Sequence, residues 1–227
     1  MTVSVVIPTL NEAATVEPTL RSVAAQTGPM ELIVVDGGSA DATVQIAQPH
    51  ATVLETAPGR ARQMNTGAAE ASGEALFFLH ADTHPPEKGL SIIRSTLAAP
   101  ATEAGIFRLS FDRSSPLLRL YSWCTRWPWI RLAFGDRGLF VRRSAFEDIG
   151  GFPEWPLFED LELAHRLHQR GGFRFRPEAV TTSARRFEQN GYLRQQLRNL
   201  RLWLHYISGT PPERLTHLYP YDGPAST

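Results

Sequence analysis

The chain has 227 residues, 42% of them hydrophobic, which is enough to bury a substantial core and fits one domain or one domain with an appended lobe. Its 23 basic and 23 acidic side chains cancel, which excludes a bulk cationic field for sequence-independent nucleic-acid binding. The single cysteine, Cys124, excludes an internal disulfide and a thiolate metal centre, and fits a reducing, cytoplasmic compartment.

The sequence enters SVVIPT almost at once, which reads as a core strand and leaves no room for a hydrophobic signal segment. A helix is expected over about 12–26, then the strand ELIVVD, a short helix from about 40, the strand ATVLET, a helix over about 60–71 and the strand ALFFLH. Strands alternating with helices predict crossover connections and a largely parallel sheet covered on both faces. The strands are apolar throughout, as burial on both faces requires. Beyond about residue 100 the alternation fades: EAGIFRLSF and RGLFVRR read as strands, FEDLELAHRLHQRG as a helix ended by Gly171, and GYLRQQLRNLRLWLHYISG as a long helix ended by Gly209. The segment after about 210, rich in Pro and polar residues, reads as a surface tail. No apolar run approaches the roughly 20 residues of a spanning helix, since PLLRLYSWCTRWPWIRLAF is broken by Arg119, Arg126 and Arg131.

Polar residues gather where the strands end: Thr9, Asn11 and Glu12 after the first, Asp36 after the second, His80 and Asp82 after the fourth. In open α/β sheets ligands bind in the crevice beyond those ends, so one shared pocket is expected. In VVDGGSADAT the glycines allow a tight turn and Ser39 or Asp41 can cap the next helix, while Asp36 is placed to accept hydrogen bonds from a base or ribose. A dinucleotide fold would need G-x-G-x-x-G after an early strand, and VVIPTLNEAATV has no glycine. Arg60, Arg62 and Asn65 open a helix of small residues; Arg60 reads as solvated, Arg62 and Asn65 as ligand contacts. Asp82 at a buried strand's end would be costly to desolvate with nothing to bind. A cation of the magnesium type, held by a carboxylate and substrate phosphates, would justify it. His80 and His84 read either as softer ligands or as residues of the turn. Glu159 and Asp160 fall in a helix's first turn, which favours acids electrostatically, and one of them could serve as a general base.

These segments, SVVIPTLNE, VVDGGSADAT, GRARQMNTGAAEASGE, FLHAD as a variant of D-x-D, and FEDLELAHRL, taken in this order over about residues 3–175, resemble the family 2 glycosyltransferases of the GT-A fold, and within them a short, soluble bacterial subgroup. The resemblance implies an α/β fold with a mostly parallel central sheet flanked by helices and a helical C-terminal extension. It implies one domain over 1–210, with a nucleotide-sugar half (about 1–100), an acceptor and catalytic half (about 101–190), a C-terminal helix (about 190–210) and a tail (211–227). Pro8, Thr9, Asn11, Glu12, Asp36, Arg62, Asn65, His80, Ala81 and Asp82 would then bind the nucleotide sugar, with Asp36 on the base and Asp82 on Mn²⁺ or Mg²⁺. Asp160, with Glu159 beside it, would be the catalytic base of an inverting transfer from a UDP sugar to an acceptor hydroxyl. Gly135, Asp136 and Arg137 would lie on the acceptor side.

Two departures from the family pattern stand out. His80 replaces the first acid of D-x-D, and TTSARRF stands where a histidine often follows the catalytic helix, so that Arg185 or Arg186 would meet the diphosphate instead. Two other functions are open: a sugar-phosphate nucleotidylyltransferase, disfavoured by the missing glycine-rich loop with its lysine, and an inactive nucleotide-sugar-binding module, suggested by His80. The last helix carries Leu193, Leu197, Leu200, Leu204 and Ile207 on one stripe and Arg194, Arg198, Arg201 and His205 on the next. That pattern fits an ordinary covering helix or one lying on the inner membrane face. Trp123, Trp127 and Trp129 pose the same choice, and a lipid-linked acceptor would reconcile both features.

Overall fold

The computed structural model of the protein describes residues 1–218. Eight strands form one sheet in the order β3-β2-β1-β4-β7-β6-β8-β5. The strands are β1 (Val3–Thr9), β2 (Met30–Asp36), β3 (Thr52–Glu55), β4 (Ala75–Phe78), β5 (Thr83–His84), β6 (Ala104–Phe111), β7 (Leu139–Arg142) and β8 (Phe173–Thr182). Strands β3, β2, β1 and β4 run parallel, β7 lies antiparallel between β4 and β6, and β8 runs parallel to β6.

Alternate residues of the central strands feed two separate cores. Val5 and Ile7 pack on one face with Val16, Leu20 and Val23 of α1 (Val16–Ala24) and Leu90 and Ile93 of α4 (Gly89–Leu97). Val6, Val35, Leu76 and Phe78 pack on the other with α3 (Arg60–Glu70), α6 (Arg143–Asp148) and α7 (Glu159–Gln169). Burial on both faces explains why these strands are apolar throughout. The α3 helix approaches the sheet through Gly67: a Cβ there would collide with Val6 and stand 2.9 Å from Cγ2 of Val35. Only glycine lets the helix backbone lie so close to both strands.

The first four strands and α3 appear where the sequence places them, with α1 shorter than expected and the short α2 (Thr43–Ala47) beginning a few residues later. Strand β4 ends at Phe78, two residues before His80, because the chain then leaves the central sheet and crosses to pair β5 with the end of β8. Helices α4 and α5 (Pro116–Cys124) and the ten-residue β8 were not foreseen. RGLFVRR is a strand only from Leu139, since Gly135–Arg137 form a 3₁₀ turn. Helix α8 (Arg185–Asn190) leads into α9 (Tyr192–Ile207). The expected tail begins with a 3₁₀ segment, Pro212–Leu218, whose Leu215 is buried with Leu157 and Leu202; the rest of it, 219–227, lies outside the described residues.

Candidate functional site

The β5–β8 pairing decides what stands beside Asp82. Thr83 and His84 pair with Thr182 and Thr181, and Ser183 donates its backbone N–H to the Asp82 carbonyl at 3.1 Å. The chain then turns into α8, bringing Arg185 Nη2 to 3.5 Å from Asp82 Oδ2 and to 2.5 Å from both carboxylate oxygens of Glu12. Two acids at the ends of different strands thus share one guanidinium. Burial raises the Asp82 carboxyl above its ordinary value, with Arg185 pulling the other way and Glu12 adding to the rise.

A cavity of about 490 Å³ opens beside this cluster. Of the residues expected in the site, Pro8, Thr9, Glu12, His80, Ala81, Asp82, Asp136, Asp160 and Arg186 line it. Asp160 reaches it because of the backbone at α7's start: Phe158, the residue before the helix, adopts a left-handed conformation (φ 63°), strained for a bulky side chain, with its ring stacked 4.5 Å from Tyr206. The first turn then sends the two adjacent acids apart. Asp160 lines the cavity and accepts a hydrogen bond from the Leu161 N–H at 2.6 Å, whereas Glu159, fully buried, pairs with Arg60 Nε at 2.5 Å. Burial raises the Glu159 carboxyl, and Arg60 opposes that rise. Glu159 is thus held beneath Asp160 by an ion pair that spans 99 positions of the sequence.

Several other expected residues are engaged with the protein itself and lie outside the cavity lining. Asp36 is 1% exposed, and its carboxylate accepts from Thr9 Oγ1, Ser39 Oγ and the N–H groups of Gly38 and Ser39, which shapes its own loop and leaves it outside the cavity lining. Asn11 clasps the same loop, its N–H donating to Ser39 Oγ and its Oδ1 accepting from the Ala40 N–H. Asn65 exchanges two hydrogen bonds of 2.9 Å with the backbone of Phe152, and Arg62 reaches outward to Glu154 at 3.3 Å. Arg137 is enclosed, donating to the carbonyls of Phe107, Leu132 and Thr125. Gly135 opens the turn that delivers Asp136 and Arg137. Arg185 acts on the cavity from behind, through Glu12 and Asp82.

Conversely, residues read as bland or overlooked form much of the wall. Arg60 and Gln63 of α3 face the cavity, Gln63 donating to the carbonyls of Thr9 and Val35. Phe111, Tyr121, Phe134, Phe187 and Trp203 give the far side an aromatic lining. The recurrence of aromatics over 111–134 could have flagged the first three; Phe187 and Trp203 carried no such signal.

Burial, with help from Arg60 and Arg186, pushes the His80 imidazole down to about 3, so the ring is neutral near pH 7 and keeps a lone pair for a ligand. Among the described residues no group of three His, Cys, Asp or Glu side chains is arranged to hold an ion by itself. The donor set of one carboxylate and a neutral imidazole fits only an ion that takes most of its ligands from substrate phosphate and water.

Asp136 has its Oδ1 enclosed without a hydrogen-bond partner, and burial, reinforced by Asp160, pushes its carboxyl up to about 7. Its folded value lies above the ordinary 3.8, so Asp136 stabilises the fold fully below about pH 4, and that contribution is lost as pH rises through 7. Asp136→Asn is expected to raise the Tm relative to the parent at pH 8 and to change it little at pH 4, as read by thermal unfolding at the two pH values.

Residues 4–151 match the family model described as glycosyl transferase family 2. The glycosyltransferase AglE of Haloferax volcanii is 30% identical over 170 residues, covering 66% of this chain and 56% of that protein. The probable glycosyltransferase YdaM of Bacillus subtilis is 28% identical over 79% of this chain and 50% of its own length. The chain thus spans about half the length of these relatives. Among solved structures, S. aureus TarS 1–349 in complex with UDP superposes with a TM-score of 0.67 at 19% identity, covering 81% of this chain and 61% of that one. The mannosyltransferase PcManGT from Pyrobaculum calidifontis, in complex with GDP-Man and Mn²⁺, superposes with a TM-score of 0.66 at 23% identity over 95% and 67%. With a GT-A sheet, its acids converging on one cavity, and a family match over most of its length, the chain belongs to glycosyl transferase family 2.

Proposed function

We propose that the protein transfers a sugar from a nucleotide-diphosphate donor, a UDP sugar, to an acceptor hydroxyl with inversion at the anomeric carbon. The observation that carries this reading is the convergence of Asp82 and Asp160, 78 positions apart in the sequence, on one cavity that also receives Arg186. The donor would occupy the side built by residues 1–100, with the acceptor held by the half formed by 101–190 and closed by α9. Solved relatives in complex with UDP and UDP-GlcNAc support the choice of nucleotide, and the one with GDP-Man and Mn²⁺ supports a divalent ion.

In this scheme Asp160 accepts the proton of the acceptor hydroxyl, whose oxygen attacks the anomeric carbon as the bond to the diphosphate breaks. Arg186 pairs with the departing diphosphate, a role that guanidinium geometry suits, while Arg185 holds Glu12 and Asp82 in place beside it. Asp82 and neutral His80 would hold Mn²⁺ or Mg²⁺ together with the donor phosphates, and the bound ion would supply further neutralisation of the leaving charge. The aromatic wall opposite excludes water and seats the acceptor.

Thermal unfolding across a panel of nucleotide sugars, with and without manganese, tests the donor assignment. At a concentration 100 times its Kd, a donor that binds only the folded chain adds about 2.7 kcal/mol, or roughly 5–10 °C of Tm for a chain of this size. UDP sugars should give that shift, enlarged by manganese; a panel with no response would remove the proposal.

A further inference from the structure

The outer face of α9 is apolar and open. Leu193 and Leu197 are 72% and 65% exposed, and Leu200, Leu204 and Ile207 continue the stripe, while Gln195 and Leu202 turn inward. The sequence allowed this stripe to be the inner face of a covering helix; among the described residues nothing covers it. Beside it, Trp123, Trp127 and Trp129 are each about half exposed, with Trp127 and Trp129 stacked. Trp203 of α9 donates its indole N–H to the Arg131 carbonyl at 3.0 Å, which seats the tryptophan loop against the helix.

Charge is segregated onto the same two segments. Residues 116–134 and 192–207 contain six arginines, Arg119, Arg126, Arg131, Arg194, Arg198 and Arg201, and no Asp or Glu. Since the whole chain is neutral, the other residues carry a compensating excess of acid. Exposed leucines, interfacial tryptophans and an acid-free set of arginines complement an apolar layer beneath negative headgroups. A second copy would instead have to bring one set of arginines against another. No helix among the described residues is long and apolar enough to cross a membrane, so the contact is one of lying on the surface.

We propose that α9 and the tryptophan loop form a docking surface for an anionic lipid bilayer. The surface borders the cavity, because Leu200 and Trp203 of α9 and Cys124 and Thr125 beside the loop also line it. If the transfer reading holds, an acceptor hydroxyl carried on a lipid could then meet Asp160 while its chain stays in the bilayer.

Cosedimentation with phosphatidylglycerol–phosphatidylcholine vesicles, against pure phosphatidylcholine, tests the surface. The protein should pellet with the anionic vesicles and less so in high salt. Leu193→Glu with Leu197→Glu should weaken binding more than tenfold, and Arg194→Gln or Arg201→Gln about fivefold each. These side chains project into solvent, so thermal unfolding and the response to UDP sugars should stay unchanged, which separates this proposal from the catalytic one. Failure to pellet, pelleting untouched by the glutamates, or a concentration-dependent dimer that the glutamates dissolve would each overturn it, the last by giving the face to a second copy.

Discussion

Asp160→Asn should slow sugar transfer by about 10²–10⁴, the usual share of a general base, while nucleotide-sugar binding stays within about twofold. The expectation follows from how α7 begins. Asn preserves the shape of the side chain and the oxygen that accepts from the Leu161 N–H, so the first turn is kept, but an amide takes no proton from a hydroxyl. The neighbouring acid cannot take over, because Glu159 is buried and pointed at Arg60. Single-turnover transfer, measured beside donor affinity by thermal shift, separates the two effects. Unchanged turnover would remove the role of base from Asp160, and a lost donor response would mean that it serves binding instead.

Arg137→Met should lower the Tm by roughly 6–12 °C. The guanidinium is 1% exposed and ties three carbonyls, Phe107 on β6, Thr125 and Leu132, into one knot at the cavity wall. Burial pulls its pKa down to about 10, with Asp136 opposing that fall, so it remains charged near neutral pH. Removing it orphans enclosed acceptors that each cost about 1–3 kcal/mol; a net loss of about 3 kcal/mol corresponds to that Tm change for a chain of this length. Circular dichroism melts check the value. A normal melt with transfer abolished would return Arg137 to the acceptor-side role that the sequence resemblance assigns it.

Arg137 also shows where the sequence stopped being informative. The first half of the fold was legible because strands buried on both faces write continuous apolar runs, and Thr9, Glu12, His80 and Asp82 stood visibly at their ends. Strand β8 was not legible: FRFRPEAVTT carries Arg174, Arg176, Pro177 and Glu178, and most of its residues are only partly buried, so no apolar period marks it. Missing β8 hid the crossing that sets Arg185 against Asp82 and Glu12. The site residues whose partners the sequence did not show share one cause. Asn65 and Asp36 are polar residues in a suggestive place, but their partners, Phe152 for one and a closed turn for the other, are set by tertiary contacts that spacing does not reveal. Asp160 and Glu159, indistinguishable by position, were separated by a single strained residue at 158 and an arginine from α3.

The bare α-carbon at Gly67 reaches further than its own contact. With no side chain between them, α3 is seated on β1 and β2 like a key in its slot, unable to slide or roll without driving main chain into Val6 and Val35. Gln63 and Arg60 stand about one and two turns nearer the helix's start on that same rigid rod. The reach of Arg60 to Glu159, and through it the bearing of the neighbouring Asp160, is thus calibrated by an atom that the protein leaves out.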